Sequence, residues 1–184
     1  MKKWTPTIFN KLIYNENYSK TDIGITGIRT NIFITPIIEI IKKYSNGEYI
    51  LDYGGGLGTL IDLLRKNGYK NSYCFDPYGR QDISEDATNF DIVIAIEVLE
   101  HIFDAHTLWR TVSNKLKTGG IFIFSTHLCD EQNVEDWWYA NPQAGHCILY
   151  STFALINIAK WYNLEYVDTV TINSGMEYIY IFKK

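Results

Sequence analysis

An aspartate followed by closely spaced glycines is the first group of residues in this sequence that could bind a ligand. In the stretch ILDYGGGLG, residues 50–58, Asp52 ends a short apolar run and Gly54, Gly56 and Gly58 follow it. Glycine loses more conformational freedom on folding than any other residue, so a turn this rich in glycine is usually kept where a ligand must approach the main chain. The stretch therefore predicts a ligand-binding turn.

The spacing of these glycines separates two kinds of nucleotide site. A dinucleotide site has the pattern G-x-G-x-x-G, which would need glycine at position 59, where this chain has threonine. A carboxylate at Asp52 would lie badly beside a pyrophosphate but well beside an ammonium group, which indicates a ligand with an amino-acid part. Roughly 20 residues further on, Asp76 ends the next apolar segment, where a carboxylate can accept both hydroxyls of a ribose. An amino-acid tail and a ribose together describe S-adenosylmethionine.

The elements that must position these residues alternate between strands and helices. Four buried strands are predicted at EYILDY, NSYCFD, FDIVIAIE and IFIFST, and two last strands, LEYVDTVTI and MEYIYIFKK, form a hairpin around NSG. This order predicts an α/β fold: a Rossmann-like, doubly wound, mostly parallel sheet with a C-terminal antiparallel hairpin. Ligands of such sheets bind at the carboxyl ends of the strands, which is where Asp52 and Asp76 fall.

Amphipathic segments predict the helices between these strands. The first helix is expected to begin at Pro36, with Thr35 as its cap, and to stop at Gly47. The last is expected at STFALINIAKWYN, with Ser151 or Thr152 near its cap. The two helices between them are predicted from apolar positions at helical spacing, namely Leu57, Leu60, Ile61 and Leu64, and then Ala105, Leu108, Trp109, Val112 and Leu116.

Size and composition limit the kinds of protein that this chain can be. The chain has 184 residues, of which 46% are hydrophobic, so we expect one globular domain that spans residues 1–184. Its parts are an N-terminal arm or lid at 1–30 and a Rossmann-like core at 31–184, with a substrate flap at 127–150. The net charge of −4 argues against nucleic acid as a partner. The three cysteines are odd in number and widely spread, which suits reduced thiols in a cytoplasm. No segment has the length of a membrane helix, so we expect a soluble, cytoplasmic protein, and the composition resembles that of AT-rich bacteria.

Three stretches of the chain resemble successive motifs of the class I S-adenosylmethionine-dependent methyltransferases. They are YILDYGGGLGTLIDLLRKNGYKNSYCFDPYG, FDIVIAIEVLEHIFD and LKTGGIFIFST, in the order that the family has. The EVLEH run and the GGxxxxST pattern are typical of the small-molecule branch that includes the ubiquinone-biosynthesis methyltransferases and the type 11 and 23 methyltransferase domains. The resemblance covers about residues 45–182 and implies an enzyme that transfers methyl groups from S-adenosylmethionine, with S-adenosylhomocysteine as the product.

The resemblance also implies where the cofactor lies. The methionine end would contact Asp52 and the glycine turn, Asp76 would hold the ribose, and a pair of residues after Asp76 would flank the adenine. The sulfonium would lie above Glu97 and Val98, at the end of the FDIVIAIE strand. Arg29, in an arm with Tyr14 and Tyr18, could pair with the methionine carboxylate. The implied cofactor-binding residues are Asp52, Gly54, Gly56, Gly58, Asp76, Pro77, Tyr78, Glu97, Val98 and Arg29.

One region departs from the family pattern. The strand that begins at Phe90 follows Asp76 by only 14 positions, too few for the family's usual helix, third strand and returning loop. The third-strand region is therefore shortened, and QDISEDATN takes its place. We interpret Asp82, Glu85 and Asp86 in this segment as a solvated run of charges, and no adenine contact is assigned to a third strand.

Histidines near the predicted site are the candidates for a catalytic base. Methyl transfer is an in-line displacement, and a hydroxyl acceptor needs a base whose pKa is near neutral. The first candidate is His146, which lies in a stretch that resembles the family segment closing over the acceptor. The second is His101 in EVLEH, for which a purely structural role in bracing the next helix is equally open. His106 is expected on a solvent-facing helix surface. The residues expected to bind the acceptor are His127, Trp138, Tyr139 and Tyr150, although Trp137, Trp138 and Tyr139 could equally form a packed flap core.

The acceptor and several alternatives remain open from the sequence. The favoured acceptor is a small molecule with a hydroxyl, such as a sugar or a cell-envelope or capsule precursor, whereas a phosphate-type oxygen would need no base. A zinc site at His127, Cys129, His146 and Cys147 has unusual spacing, so no metal is assigned. The alternatives are a catalytically inactive, methyltransferase-like scaffold subunit and a nucleotide-sugar oxidoreductase; NPQA at 141–144 only faintly resembles the N-P-P-Y motif of DNA-modifying enzymes. A monomer or a homodimer is expected.

Overall fold

A computed structural model describes residues 28–130, 132–141 and 145–184 of the chain. Its helices are α1 (Ile28–Tyr44), α2 (Thr59–Lys66), α3 (Ala105–Lys115) and α4 (Thr152–Trp161). Its strands are β1 (Ile50–Tyr53), β2 (Ser72–Phe75), β3 (Phe90–Ile96), β4 (Leu116–Ser125), β5 (Glu165–Ile172) and β6 (Glu177–Lys183). Short 3₁₀ turns occur at Leu99–His101, Trp138–Ala140 and Asn173–Gly175. Tyr14 and Tyr18 of the predicted lid lie outside the described residues.

The six strands form one sheet in the order β2-β1-β3-β4-β6-β5. Strands β2, β1, β3 and β4 run parallel to one another, whereas β6 runs antiparallel to both β4 and β5. The predicted α/β class, with its mostly parallel sheet and C-terminal hairpin, is therefore confirmed. Because β1 lies between β2 and β3, the carboxyl ends of these strands meet at one edge of the sheet.

Helices cover both faces of the sheet and enclose two apolar clusters. On one face, Leu108 and Trp109 of α3 and Leu155 of α4 pack with the sheet, and on the other face Phe33 of α1 and Ile61 of α2 do so. Trp109 is fully buried, with its ring edge-on to the rings of Phe122, Phe124 and Phe182. This three-layer packing fixes the strand ends that carry the candidate site.

The first helix differs from its predicted bounds. Helix α1 begins at Ile28, so that Pro36 lies inside it rather than at its first position. A proline inside a helix removes a hydrogen bond and crowds the carbonyl four residues earlier. Phe33 and Ile37, on either side of Pro36, are both fully buried, and their packing keeps the helix continuous through it. Arg29 is consequently in the first turn of this core helix, not in a separate arm.

Two further local predictions have different outcomes. Leu57, expected on the apolar face of the second helix, lies before α2 and is 64% exposed, because the glycine turn continues to Gly58. The cap of the last helix is confirmed, since the Ser151 side chain accepts a hydrogen bond from the backbone N–H of Ala154.

The shortened region between β2 and β3 folds back on the edge of the sheet. Residues 76–89 contain no helix or strand, as the sequence predicts, and Gln81 forms a single antiparallel bridge with Phe75. Asp82, Glu85 and Asp86 are exposed, as expected, but Asp82 is also paired. Its carboxylate accepts from the backbone N–H of Cys74 at 3.1 Å and pairs with Arg65 at 3.0 Å and Arg80 at 2.8 Å. These contacts occupy the edge of β2 where a third strand would otherwise pair.

None of the helices in the described ranges combines the length and the apolar character needed to cross a lipid bilayer.

Candidate active site

An open cleft lies at the carboxyl ends of β1 and β3, beneath the first turn of α1. Residues from all three elements and from the glycine turn line it, among them Arg29, Phe33, Asp52, Gly54, Gly56 and Glu97. Ten residues were predicted from the sequence to contact a cofactor. Five of them line the cleft, namely Arg29, Asp52, Gly54, Gly56 and Glu97, and Asp76 lies in the adjacent loop.

The glycine turn has a backbone that only glycine adopts without strain. Gly54, Gly56 and Gly58 have φ angles of 78°, 57° and 78°, in the left-handed region. Between them, a Cβ atom on Gly55 would lie 2.2 Å from the Asp52 carboxylate, and one on Gly54 would lie 2.8 Å from the methyl groups of Val98. The turn therefore brings the main chain against the end of β1, with its surface open to the cleft.

Asp52 is a buried carboxyl group at the floor of this cleft. Only 3% of the residue is exposed, and burial, followed by the charge of Asp76, raises its pKa to about 7. A cation in the cleft would stabilise the ionised carboxylate and offset the cost of its burial. The position and the electrostatics thus suit an ammonium group of a ligand.

Asp76 is held beside the glycine turn by the main chain. Its Oδ2 accepts from the backbone N–H of Gly56 at 3.0 Å, and its Oδ1 accepts from that of Tyr78 at 2.7 Å. The loop after it packs on the turn, since Arg80 donates its backbone N–H to the Gly56 carbonyl at 2.8 Å. Because each carboxylate oxygen can accept more than one hydrogen bond, Asp76 keeps capacity for ligand hydroxyls.

The remaining predicted cofactor contacts occupy different positions around the cleft. Pro77 and Tyr78 are exposed in the loop beside Asp76, so that they could flank a ring outside the main cleft. Glu97 lines the cleft with φ 53°, and its Oε1 accepts from Ser125 Oγ at 2.7 Å. Val98 is buried against the glycine turn and supports it from below.

His146 has the geometry of a neutral imidazole with one ring nitrogen available. Its Nδ1 lies 2.6 Å from the Tyr139 carbonyl oxygen, to which it donates, so that Nε2 carries the lone pair. Its ring packs against the Tyr139 ring with centroids 4.0 Å apart. Burial is the main cause that lowers its pKa, which favours the neutral form that can accept a proton.

His101 lies beside His146, over a buried glutamate that the sequence analysis did not single out. The two imidazole rings have centroids 4.8 Å apart, and His101 Nδ1 lies 3.2 Å from the Gly145 carbonyl oxygen. Glu100 is fully buried; its Oε2 accepts from Thr126 Oγ1 at 3.1 Å, while its Oε1 lies 3.7 Å from His101 Nε2. Burial raises the pKa of Glu100 strongly, and the charge of Glu97 raises it further. The first two candidates for a base are thus neighbours.

The predicted acceptor residues are divided between the surface and the core. Trp138 is 67% exposed and its ring is edge-on to His127, at 5.5 Å between centroids. Tyr139 and Tyr150 are buried, so the Tyr139 ring serves as packing for His146, and its hydroxyl donates to Glu97 Oε2 at 3.3 Å. The sequence left two interpretations of the flap aromatics equally open, a packed core and an acceptor-binding surface. Tyr139 belongs to a packed core, whereas Trp138 is exposed and could contact an acceptor.

Two groups of possible metal ligands occur among the described residues, and neither is the cysteine-containing set considered from the sequence. One is Glu100 with His101 and His146, and the other is Glu97 with His127 and Glu177, each with ligand atoms within 4.8 Å of one another. Glu177 begins β6, and nothing in its local sequence marks it; only the pairing of β6 with β4 and β5 brings it to the site.

A family model described as a methyltransferase domain matches residues 29–169 of the chain. The human mitochondrial ubiquinone biosynthesis O-methyltransferase is 29% identical over 140 residues, which are 62% of this chain and 38% of that protein. The Coxiella burnetii ubiquinone biosynthesis O-methyltransferase is 29% identical over 102 residues, 44% of each chain. The chain therefore spans less than half the length of the curated relatives that it matches.

Solved structures with the same fold are also similar to this chain. The methyltransferase chain in a complex with the Haloferax volcanii Trm112 activator has a TM-score of 0.67 at 14% identity, covering 91% of this chain and 96% of that one. The magnesium protoporphyrin IX methyltransferase from Synechocystis with bound SAH has a TM-score of 0.60 at 16% identity, covering 95% and 91%. At such low identities these likenesses confirm the fold.

Proposed function

The chain belongs to the class I methyltransferase family, and from this membership and the geometry of the cleft we propose that it transfers a methyl group from S-adenosylmethionine to an oxygen of a small molecule. The bound cofactor would supply an electrophilic methyl group on its sulfonium. The observation that carries the proposal is the buried Asp52 carboxylate, which opens into a cleft beside left-handed glycines and the oriented Asp76.

The chain's residues would hold the two ends of the cofactor by their charges. Asp52 would accept from the ammonium group, and Arg29, which also lines the cleft, would pair with the carboxylate. Asp76 would accept from the ribose hydroxyls while the Gly56 and Tyr78 amides keep its oxygens in place. Pro77 and Tyr78 would flank the adenine. All of these residues are present in or beside the cleft, which supports an active enzyme over a scaffold subunit.

On the acceptor side, His146 would act as the base. Its neutral ring would accept the hydroxyl proton at Nε2, because Nδ1–H is committed to the Tyr139 carbonyl. His101, in ring contact with it, is the second candidate. His146 would hold this proton while the acceptor oxygen takes up the methyl group that the cofactor supplies, and would then release the proton to water.

We further propose a sugar or a cell-envelope or capsule precursor as the acceptor. The exposed Trp138 ring beside His127 offers an apolar platform next to a polar ring, which suits the face of a sugar with hydroxyls at its edge. The three cysteines are free thiols, which supports a reducing bacterial cytoplasm as the location, and the charge of −4 supports a small molecule rather than nucleic acid. We propose a monomer or a homodimer as the working unit.

The test is methyl transfer from isotope-labelled S-adenosylmethionine to a panel of methyl glycosides, sugar phosphates and aromatic diols. His146→Gln should reduce turnover of a hydroxyl acceptor by about 10²- to 10⁴-fold, the usual contribution of a positioned base, without changing S-adenosylhomocysteine affinity. His106→Gln is the matched control, because His106 is exposed and contacts Trp161 and Tyr162 outside the cleft. Full activity of His146→Gln on a hydroxyl acceptor would exclude His146 as the base, and His101 is then the next residue to substitute.

A further inference from the structure

The main chain of Arg80 joins the two parts of the candidate cofactor site. Its N–H donates to the Gly56 carbonyl oxygen at 2.8 Å, and its own carbonyl oxygen accepts from the backbone N–H of Asp76 at 2.9 Å. The Gly56 N–H in turn donates to the Asp76 carboxylate at 3.0 Å. The place of residue 80 therefore governs how the glycine turn and Asp76 lie relative to each other.

The Arg80 side chain is held by two carboxylates that lie on different segments. Its Nη1 donates to Asp62 Oδ1 in α2 at 2.8 Å, and its Nε donates to Asp82 Oδ1 in its own loop at 2.8 Å. Its aliphatic stem crosses the last glycine of the turn, since a Cβ atom on Gly58 would lie 2.5 Å from Arg80 Cδ. A guanidinium presents its donors in a rigid planar fork, so these two contacts orient the whole side chain over the turn.

Asp82 connects this guanidinium to the edge of the sheet. Its Oδ2 accepts from the backbone N–H of Cys74 in β2 at 3.1 Å, and Arg65 of α2 donates to the same oxygen at 3.0 Å. Residues 76–89 contain no helix or strand that could hold the loop in place by itself. The side chain of Arg80 thus links α2, the glycine turn and the edge of β2 at the point where a third strand is missing.

We propose that Arg80 is a positioning residue for the cofactor: its guanidinium clamps the loop onto the glycine turn, so that Gly56 and Asp76 keep the spacing that a ribose needs. The role in cofactor binding rests on the proposed function, whereas the clamp is a property of the unliganded chain. Because Asp62 is 53% exposed, its pair with Arg80 adds little to global stability. The effect of Arg80 should therefore be found in local order and in cofactor affinity.

Arg65 offers a matched comparison, because it belongs to the same network without contacting the turn. It pairs with Asp82 as Arg80 does, and its Nε donates to the Ser72 carbonyl oxygen at 3.0 Å. Neither of these contacts reaches the glycine turn or Asp76. A role of the network in stability alone would make the two arginines equivalent, whereas a positioning role would set Arg80 apart.

The test compares Arg80→Met with Arg65→Met in the full chain. Methionine keeps an unbranched stem over Gly58 and removes the charged fork. Calorimetry should show S-adenosylhomocysteine affinity reduced by about tenfold or more in Arg80→Met, the effect expected when a charge-assisted hydrogen bond is lost, and unchanged in Arg65→Met. In methyl transfer, the KM for S-adenosylmethionine should rise by the same factor in Arg80→Met while kcat at saturating cofactor stays unchanged, because uniform binding is what is lost.

A second measurement examines the clamp without any ligand. Amide hydrogen exchange of the unliganded chain is followed by mass spectrometry over residues 54–62 and 76–82. Both segments should exchange faster in Arg80→Met than in the wild type and at the wild-type rate in Arg65→Met. Urea unfolding of both variants confirms that each is folded.

Three results would overturn the inference. They are wild-type exchange of both segments in Arg80→Met, wild-type affinity of Arg80→Met for S-adenosylhomocysteine, or equal losses of affinity in Arg80→Met and Arg65→Met. Each of them would leave the proposed function standing, provided that the wild type binds S-adenosylhomocysteine. A folded wild type that does not bind it would refute the proposed function and with it the role of Arg80 in cofactor binding, and faster exchange in Arg80→Met would then support the clamp alone.

Discussion

Replacing Asp52 with asparagine should stabilise the unliganded protein and abolish the pH dependence of cofactor binding. The pKa of Asp52 is raised from 3.8 to about 7 in the folded chain. One pKa unit corresponds to about 1.4 kcal/mol, so three units set an upper limit of about 4 kcal/mol on the folding free energy that the ionised carboxylate costs above pH 7.

The sign of the pH dependence follows from the direction of this shift. Because the folded pKa lies above the unfolded one, the contribution of Asp52 to stability is fully present below pH 3.8 and is lost as the pH rises through about 7. The variant has no such loss. Its advantage over the wild type should therefore be largest at pH 8 and should vanish towards pH 4.

Cofactor binding should respond in the opposite direction. In the proposed function the ammonium group of S-adenosylhomocysteine would pair with ionised Asp52. The affinity of the wild type should then fall by up to about tenfold for each pH unit below 7 and level off above 7. Asp52→Asn should bind weakly at every pH.

Urea unfolding and calorimetric titration at pH 5, 6, 7 and 8 measure both effects. Asp136→Asn, which removes an exposed charge from the flap, is the control for net charge. A variant less stable than wild type at pH 8, or a wild-type affinity that is constant across this range, would refute the assignment of Asp52 as a buried carboxyl that meets a cation.

Two further substitutions test the loop that replaces the third strand. Gly79→Ala would place a Cβ atom 2.2 Å from the Gly56 carbonyl oxygen and should push the loop off the glycine turn, weakening S-adenosylhomocysteine binding by about tenfold or more in calorimetry. In the control Gly68→Ala the Cβ meets no atom within 4 Å, so the left-handed φ of 97° should cost folding stability while the affinity stays unchanged. Lys115→Met removes a buried ammonium that donates to two backbone carbonyls of the loop. This change should lower the free energy of unfolding, measured in urea, by about 1.5–3 kcal/mol. Lys66→Met, at an exposed position, should change it by less than about 0.5 kcal/mol. Equal effects in either matched pair would contradict the role given to the loop.

The cofactor side of the site was predictable because its signals are local. The aspartate, the glycines and the strand before them are contiguous, and a parallel sheet places the ends of neighbouring strands together. Asp52 and the glycine turn consequently line one cleft, with Asp76 beside them. The start of α1 was not predictable in this way, since local proline chemistry favours Pro36 as a first residue, and only the buried packing of Phe33 and Ile37 outweighs it.

The acceptor side depended on contacts between distant segments. Glu177 reaches the site through the pairing of β6 with β4, and Glu100 is buried beneath His101 because the flap packs over it. The burial of Tyr139 follows from its packing on His146, which no spacing in the sequence indicates. Residue type predicted which side chains could take part, but tertiary packing decided which of them face the cleft.

Calorimetric titration of the purified chain with S-adenosylhomocysteine is the most direct test of the central claim, with NADH as the control ligand and Asp76→Ala as the comparison. The account predicts micromolar binding of S-adenosylhomocysteine, its loss in a folded Asp76→Ala variant and no binding of NADH. A folded wild-type chain that fails to bind S-adenosylhomocysteine, or that binds NADH tightly in its place, would contradict the assignment of this cleft as a methyl-donor site.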